Sequence, residues 1–518
     1  MVLPNENLPP QIQSKSVEET ACRKARSSFD LSSGWLGVNH QISTRFLYDA
    51  LHKFEQNRAL LATSATALSA LNWNGVVTLV LCVNLAVALN ATALYYLFPF
   101  FQGTSYAPLW IRSIDEFAII GSLLVLTALF VRQRNLDVFR TLLSHWGARM
   151  IATFIGLMVI ATALLALSQT TMPLGYRIAK SFLLVSWLGL LILTQRGDGL
   201  TSLLRICGLV VIASAMVQLG FSMILSAAAP DYALWKNDPF DGYVPYTGFI
   251  LNPNRFGLLL NLASAIFLAL LCAGKGVRAN SILVCVCVLF NFAVARTGSL
   301  SQVIVSFGLL LYFVLILCAR RSTVAPAGVF VLLVSALLFM QMPGPFGAQD
   351  ACRNTLMADL RGRAMSDSDA ARVGNDAACL QPTSDSITTR ISDMKKVARM
   401  LSEANPLSFM FGNLLAREHV HAHGDFWLIL LQIGVLGFVV FFVPLLVAGV
   451  SLIRTFFALS ERPGPAAYAL AVHLTLACFA ATFLVDNVIF DAPTGLLLIV
   501  SLGFGFAVTK IRSTHFAD

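Results

Sequence analysis

Between Asp241 and Asp350 the chain contains not one acidic residue. Apolar runs inside that interval reach the roughly 20 residues needed to cross about 30 Å of hydrocarbon. In lipid a lone apolar segment must satisfy its own backbone hydrogen bonds, so these runs are helices and the expected fold class is all-α, a polytopic membrane protein. Across 518 residues the chain is 57% hydrophobic and 12% charged, with mean hydropathy +0.74, which excludes a soluble reading. A net charge of +9 would suit a nucleic-acid partner in a soluble domain. Here arginines at the cytoplasmic ends of spans account for it, and no nucleic-acid partner is expected.

Spans are expected to begin near Val76, Phe117, Met150, Arg177, Ile206, Arg255, Ser281, Leu300, Pro326, Phe426, Ala466 and Pro493, about twelve in all. Alternate connections carry Arg132, Arg134, Arg140 and Arg149, then Arg196 and Arg205, Lys275 and Arg278, Arg320 and Arg321, Arg454 and Arg462, and Lys510 and Arg512. The connections between them are poor in basic residues, so the positive-inside rule puts both termini in the cytoplasm. The organisation that follows is a cytoplasmic polar arm over 1–58, spans one to nine over 59–342, an outer segment over 343–425, and spans ten to twelve over 426–518. Within the arm, residues 45–54 repeat apolar positions at helical spacing and suit an amphipathic helix on the membrane surface. Most of the ten cysteines lie in apolar runs, where a thiol behaves as a small hydrophobe. Cys352 and Cys379 instead lie in the outer segment, where an oxidising compartment would let them form a disulfide.

This topology leaves several cations on the side where the rule predicts few: Arg177, Arg255, Arg296 and Arg390, with His419, His421 and His423. Each arginine has two readings, an interfacial side chain snorkelling to the headgroups or part of a polyanion site. Asn252-Pro-Asn-Arg-Phe-Gly257 is helix-start chemistry, and the first turn of such a helix offers N–H groups and a positive dipole end. With Arg255 it forms a phosphate cradle or an ordinary cap. Ala295-Arg-Thr-Gly-Ser-Leu-Ser301 reads as a tight turn between two spans, and the Arg296 guanidinium suits phosphate because it binds in a fork and stays charged when partly desolvated. The outer segment also carries Ile391, Met394, Val397, Ala398 and Leu401 at helical spacing, an amphipathic helix over the membrane, followed by a turn over Asn405-Pro-Leu-Ser-Phe-Met-Phe-Gly412. Alternation at 419, 421 and 423 would put three imidazoles on one face of an extended strand, as a metal site needs. One of them acting as general base, His423 or else His421, is the other reading.

Asn-Pro-Asn at the start of a span, an arginine turn further on, a large outer loop after the ninth span, and His423 ahead of Gly434 and Gly437 resemble the O-antigen ligase and Wzy-type polymerase superfamily. The resemblance covers roughly residues 245–440 together with the twelve-span layout. It implies an inverting glycosyltransferase of the bacterial inner membrane that acts at the periplasmic face, without a cofactor or an essential metal. It also implies a donor glycan on undecaprenyl diphosphate, and a chain-length regulator or export machinery as partners. Arg296, Arg255, Arg390 and Arg177 would hold the diphosphate, and His423 or His421 would take the acceptor's proton. Ligases often follow that histidine with asparagine. Here the order is His423-Gly424-Asp425, and Asp425 would orient the histidine or bind a sugar hydroxyl. A polysaccharide polymerase is therefore expected ahead of an O-antigen ligase acting on lipid A core or protein. The rival from another class is a secondary transporter, for which His473 and Lys180 are the nearest intramembrane charges.

Overall fold

The computed structural model describes residues 73–91, 114–133, 146–160, 189–228, 246–273, 276–341, 392–412, 425–486 and 492–515, apart from scattered positions inside those ranges. Their regular structure is all helix, with no strand among the described residues. The longer elements are α1 (Trp73–Asn90), α2 (Ile114–Gln133), α3 (Gly197–Ala228), α4 (Pro253–Leu271), α5 (Val277–Arg296), α6 (Leu300–Ala319), α7 (Ala325–Gln341), α8 (Pro406–Phe411), α9 (Asp425–Ala458), α10 (Pro463–Val485) and α11 (Ala492–His515). A 3-10 turn, Gly248–Ile250, precedes α4.

Seven described helices are long and apolar enough to cross a membrane, so the chain is a membrane protein. They comprise α1, α4 and α6, together with Gly199–Ile224 of α3, Arg278–Arg296 of α5, Ile433–Ala458 of α9 and Pro463–Leu484 of α10. Three more of the twelve expected spans coincide with shorter apolar stretches, Phe117–Thr127, Ala325–Phe339 and Thr494–Val508. The reason is local. Asp115 and Glu116 open α2, α7 is a 17-residue helix, and Lys510 and Arg512 lie in the last turns of α11. The span expected near Met150 is helical at its described positions between 146 and 160, with Trp146 against Phe506 and Phe154 against Phe441. Of the span expected near Arg177, its start with Lys180 lies outside the described residues and its end is seen at Gly189 and residues 191–195; the arm and its amphipathic stretch lie outside as well.

Side-chain contacts fix which helix ends lie together. At one end the Arg320 guanidinium, at the C-cap of α6, donates to the Leu459 carbonyl at 3.4 Å and stacks over the Phe456 ring at the foot of α9. Arg205, two turns into α3, likewise reaches Tyr468 in the second turn of α10. At the other end Ser299 Oγ donates to Asn254 Oδ1 at 2.5 Å, joining the starts of α6 and α4. These contacts make α4 and α6 run parallel to each other and antiparallel to α3, α5 and α10. They also put the end of α7 and the start of α9 at the Arg296 end.

Helix α4 is the central element, packed against α3, α5, α6 and α10. Its apolar window is 72% buried, against 28% for α5 and 33% for α3. Lipid tails are as apolar as leucine, so close packing and polar pairing decide which helices associate. Both operate here. Ala263, Ala265 and Ala269 of α4 and Ala466 and Ala469 of α10 are fully buried. Asn261 Nδ2 donates to the Gln302 carbonyl and to its Oε1, while Ser306 Oγ donates to Asn291 Oδ1. Asn84 to Ser122 and Asn90 to Ser214 tie α1 to α2 and α3.

The apolar run after Asp425 is one helical element with a break. Gly434 has φ +69°, and Pro444 lies further along. The membrane-long window begins at Ile433, not near Phe426 as expected, because the first two turns form a separate piece ahead of the break.

A candidate anion site at the arginine turn

The two motifs that stood out in the sequence meet. Asn252 adopts an extended conformation and its Oδ1 accepts from the N–H groups of Asn254 and Arg255 at 2.9 and 3.3 Å, with Pro253 opening the helix. These are the donors that Ser, Thr, Asn and Asp caps satisfy. The expected free N–H groups of the α4 first turn are thus taken by the cap, and the dipole is what that turn itself offers an anion.

At the neighbouring turn, Gly298 has φ +70° and Ser299 caps α6, its Oγ accepting from Gln302 N at 3.3 Å. Thr297 Oγ1 donates to Val294 O at 2.7 Å and accepts from Ser299 N at 3.2 Å. Ser299, Ser301 and Thr297 are all buried. One turn down, a Cβ on Gly257 would come within 2.8 Å of Gln302 Cβ, so the missing side chain permits α4 to approach α6 this closely. Two positive helix ends and the half-buried Arg255 and Arg296 therefore share one end of the bundle.

Arg296 is held from a place the sequence did not point to. Its carbonyl accepts from Tyr246 N at 2.9 Å, and its guanidinium lies 5.3 Å from the centroid of the Tyr246 ring, a cation–π contact. Tyr246 is 7% exposed. It is fixed in turn by the 3-10 turn, whose Gly248 and Phe249 N–H groups donate to Ser222 Oγ and Gln218 Oε1 of α3. Beside it, the buried Thr247 Oγ1 has no hydrogen-bond partner among the described residues.

Beyond the two arginines, the expected site is only partly visible. Arg177, Arg390, His419, His421, His423, Cys352 and Cys379 lie outside the described residues. Asp425 is the first residue of α9. Upstream in the chain, residues 394–402 are helical, with Val397 buried and Leu401 half-buried. Met394 and Ala398, placed on the same apolar face by spacing, are exposed. Arg399 pairs with Glu403 at 2.8 Å, both side chains exposed, which raises the guanidinium's proton affinity, although solvent screens the pair. The stretch read as a turn after Asn405 is helix α8, capped by Asn405 Oδ1 on Ser408 N at 2.8 Å and ended by Gly412 at φ +86°.

Trp427, in the first piece of α9, has a buried Nε1–H with no acceptor among the described residues. It sits at the edge of an aromatic cluster of Phe426, Phe438, Phe442, Phe441 and Phe483. His473 is a packing residue. Its Nδ1 lies 2.9 Å from the Gly449 carbonyl, which can only accept, so Nδ1 carries the proton and Nε2 accepts from the Tyr312 hydroxyl at 2.8 Å. No family model matches the chain, and no curated protein matches it.

Proposed function

We propose that this protein is an inverting, metal-independent glycosyltransferase of the bacterial inner membrane, with both termini cytoplasmic and the Arg296 end facing outward. It moves a glycan from a lipid diphosphate to a sugar hydroxyl, as a polysaccharide polymerase. The observation that carries this reading is the convergence of Arg255 and Arg296 with the starts of α4 and α6 at one end of the bundle. The acceptor oxygen bonds to the anomeric carbon, and the bond from that carbon to the diphosphate oxygen breaks. The electron pair departs with the diphosphate, and His423 or His421 takes the acceptor proton. Negative charge develops on the departing oxygen, where preorganised cations stabilise the transition state most. Arg296 is prearranged in this sense by Tyr246, with Arg390 and Arg177 completing the cation set.

Both nitrogens of His473 are bonded within the bundle. One of the two residues nearest a midplane transport site thereby has a structural role, which counts for the enzyme against the secondary transporter, while Lys180, the other, lies outside the described residues. Replacing Arg296 by alanine abolishes glycan transfer while membrane insertion stays intact. Retained transfer removes the diphosphate role. In a strain lacking the protein, loss of all surface polymer beyond one repeat marks a polymerase. Accumulation of full-length lipid-linked polymer marks a ligase acting on lipid A core or protein.

A further inference from the structure

A cavity of about 580 Å³ lies between α1, α3, α4, α10 and α11, bounded among others by Leu85, Leu204, Leu262, Ala471 and Leu497. It follows α10 from Gly464 to Thr475 and α4 from Leu262 to Leu270, with Ala273 just past that helix. At 1.5 Å per residue that is about 17 Å, close to one leaflet of a core about 30 Å thick. Its walls are apolar in effect as well as in composition. Thr475 Oγ1 donates to Ala471 O and Ser501 Oγ to Leu497 O, so both hydroxyls are spent on their own helices. The charge is confined to one end, where the exposed Arg205 stands beside Tyr468. Among the described residues its hydrogen bond is from Nε to the tyrosine hydroxyl, and the terminal nitrogens of the fork are placed for an anion. That end is also where Arg278, Arg320, Arg321, Arg454 and Arg462 collect. The wall reaches the outside of the bundle, since Leu209 lines the cavity and is 63% exposed.

We infer that this crevice binds one acyl chain of an anionic bilayer phospholipid, with its phosphate on Arg205. The chemistry fits an amphiphile whose apolar tail spans one leaflet and whose negative head stops at the arginine. A neutral solute has no polar group to recognise in the walls. A free phosphate has no reason for the long apolar slot behind the arginine. The site lies at the end of the bundle opposite Arg296 and stands independently of the glycan-transfer reading.

Gly208 provides the test, because a Cβ built there meets nothing within 4 Å and the residue lines the cavity. The full chain is purified in detergent and titrated with phosphatidylglycerol or with phosphatidylcholine of the same chains, and adducts are counted by native mass spectrometry. The wild type is expected to bind phosphatidylglycerol about fivefold more tightly, the preference one arginine gives for an anionic head. Gly208→Phe fills the slot and weakens both lipids by at least about fivefold. Arg205→Gln keeps the slot and brings the two lipids to within about twofold of each other. Both variants are scored only as monodisperse protein eluting with the wild type. Equal binding of the two lipids by the wild type overturns the assignment, as does a Gly208→Phe variant that binds phosphatidylglycerol unchanged, or displacement of the lipid by millimolar inorganic phosphate.

Discussion

The position of the Arg296 guanidinium depends on Tyr246, which holds it twice, through a backbone hydrogen bond and through its ring. A cation–π contact in a desolvated setting is worth up to about 2 kcal/mol, or about thirtyfold in rate. Tyr246→Leu is therefore expected to slow glycan transfer by several-fold to about thirtyfold, and Tyr246→Phe to leave it near the wild-type rate. Rate measurements on the two variants at matched expression check this, because a purely structural role for the ring would lower protein yield in place of the rate. The two arginines stood out in the sequence because a charge at the end of an apolar run is costly and needs a partner or a headgroup to reach. Tyr246 was not. It follows Gly242 and Pro245 in a connecting stretch without periodicity, and what gives it a task is the hold of Gln218 and Ser222 on the turn after it.

At the scale of an element, α9 is instructive. Its sequence reads as one apolar run from Phe426, yet it breaks at Gly434 because another piece of chain crosses there. A Cβ at 434 would lie 2.4 Å from the Met410 carbonyl oxygen and from Gly412 N, both in the short stretch of α8. The glycine supplies an extended positive-φ backbone, φ +69° and ψ −171°, that is essentially closed to L side chains and costs them about 1–3 kcal/mol, and it removes the atom that would collide. Gly434→Ala is expected to lower the thermal midpoint of the full chain in detergent by a few degrees. Gly220→Ala, in the interior of α3 with open space around it, should leave the midpoint unchanged or raise it slightly. Equal midpoints for Gly434→Ala and the wild type would show that α8 does not rely on this crossing. Helix α8 carries Leu407, Phe409, Met410 and Phe411 exposed, as an element at a lipid interface does.

For the whole molecule, the alternation of helix ends makes a sided claim. Cysteines placed singly at Gly298 and Gly412 in a cysteine-free background should react with a membrane-impermeant reagent from one face. Those at Ser322 and Glu461 should react only from the other. Labelling of Gly298 and Ser322 from the same face breaks the assignment of ends on which both the arginine site and the lipid crevice are placed.

By itself the sequence determined that the chain is helical and lies in a membrane, and where most of its helices begin. These follow from local physics, since a segment in lipid must close its own hydrogen bonds and a charge there is costly wherever the other helices stand. Only the tertiary structure decided that α4 is the central helix, that Asn254 and Ser299 join two motifs distant in sequence, that Tyr246 carries Arg296, and that a slot opens beside Arg205. Every span is apolar, so hydropathy cannot rank their neighbours. Small residues, buried amides and the crossing of one backbone over another choose among them, and those act only once the helices are side by side.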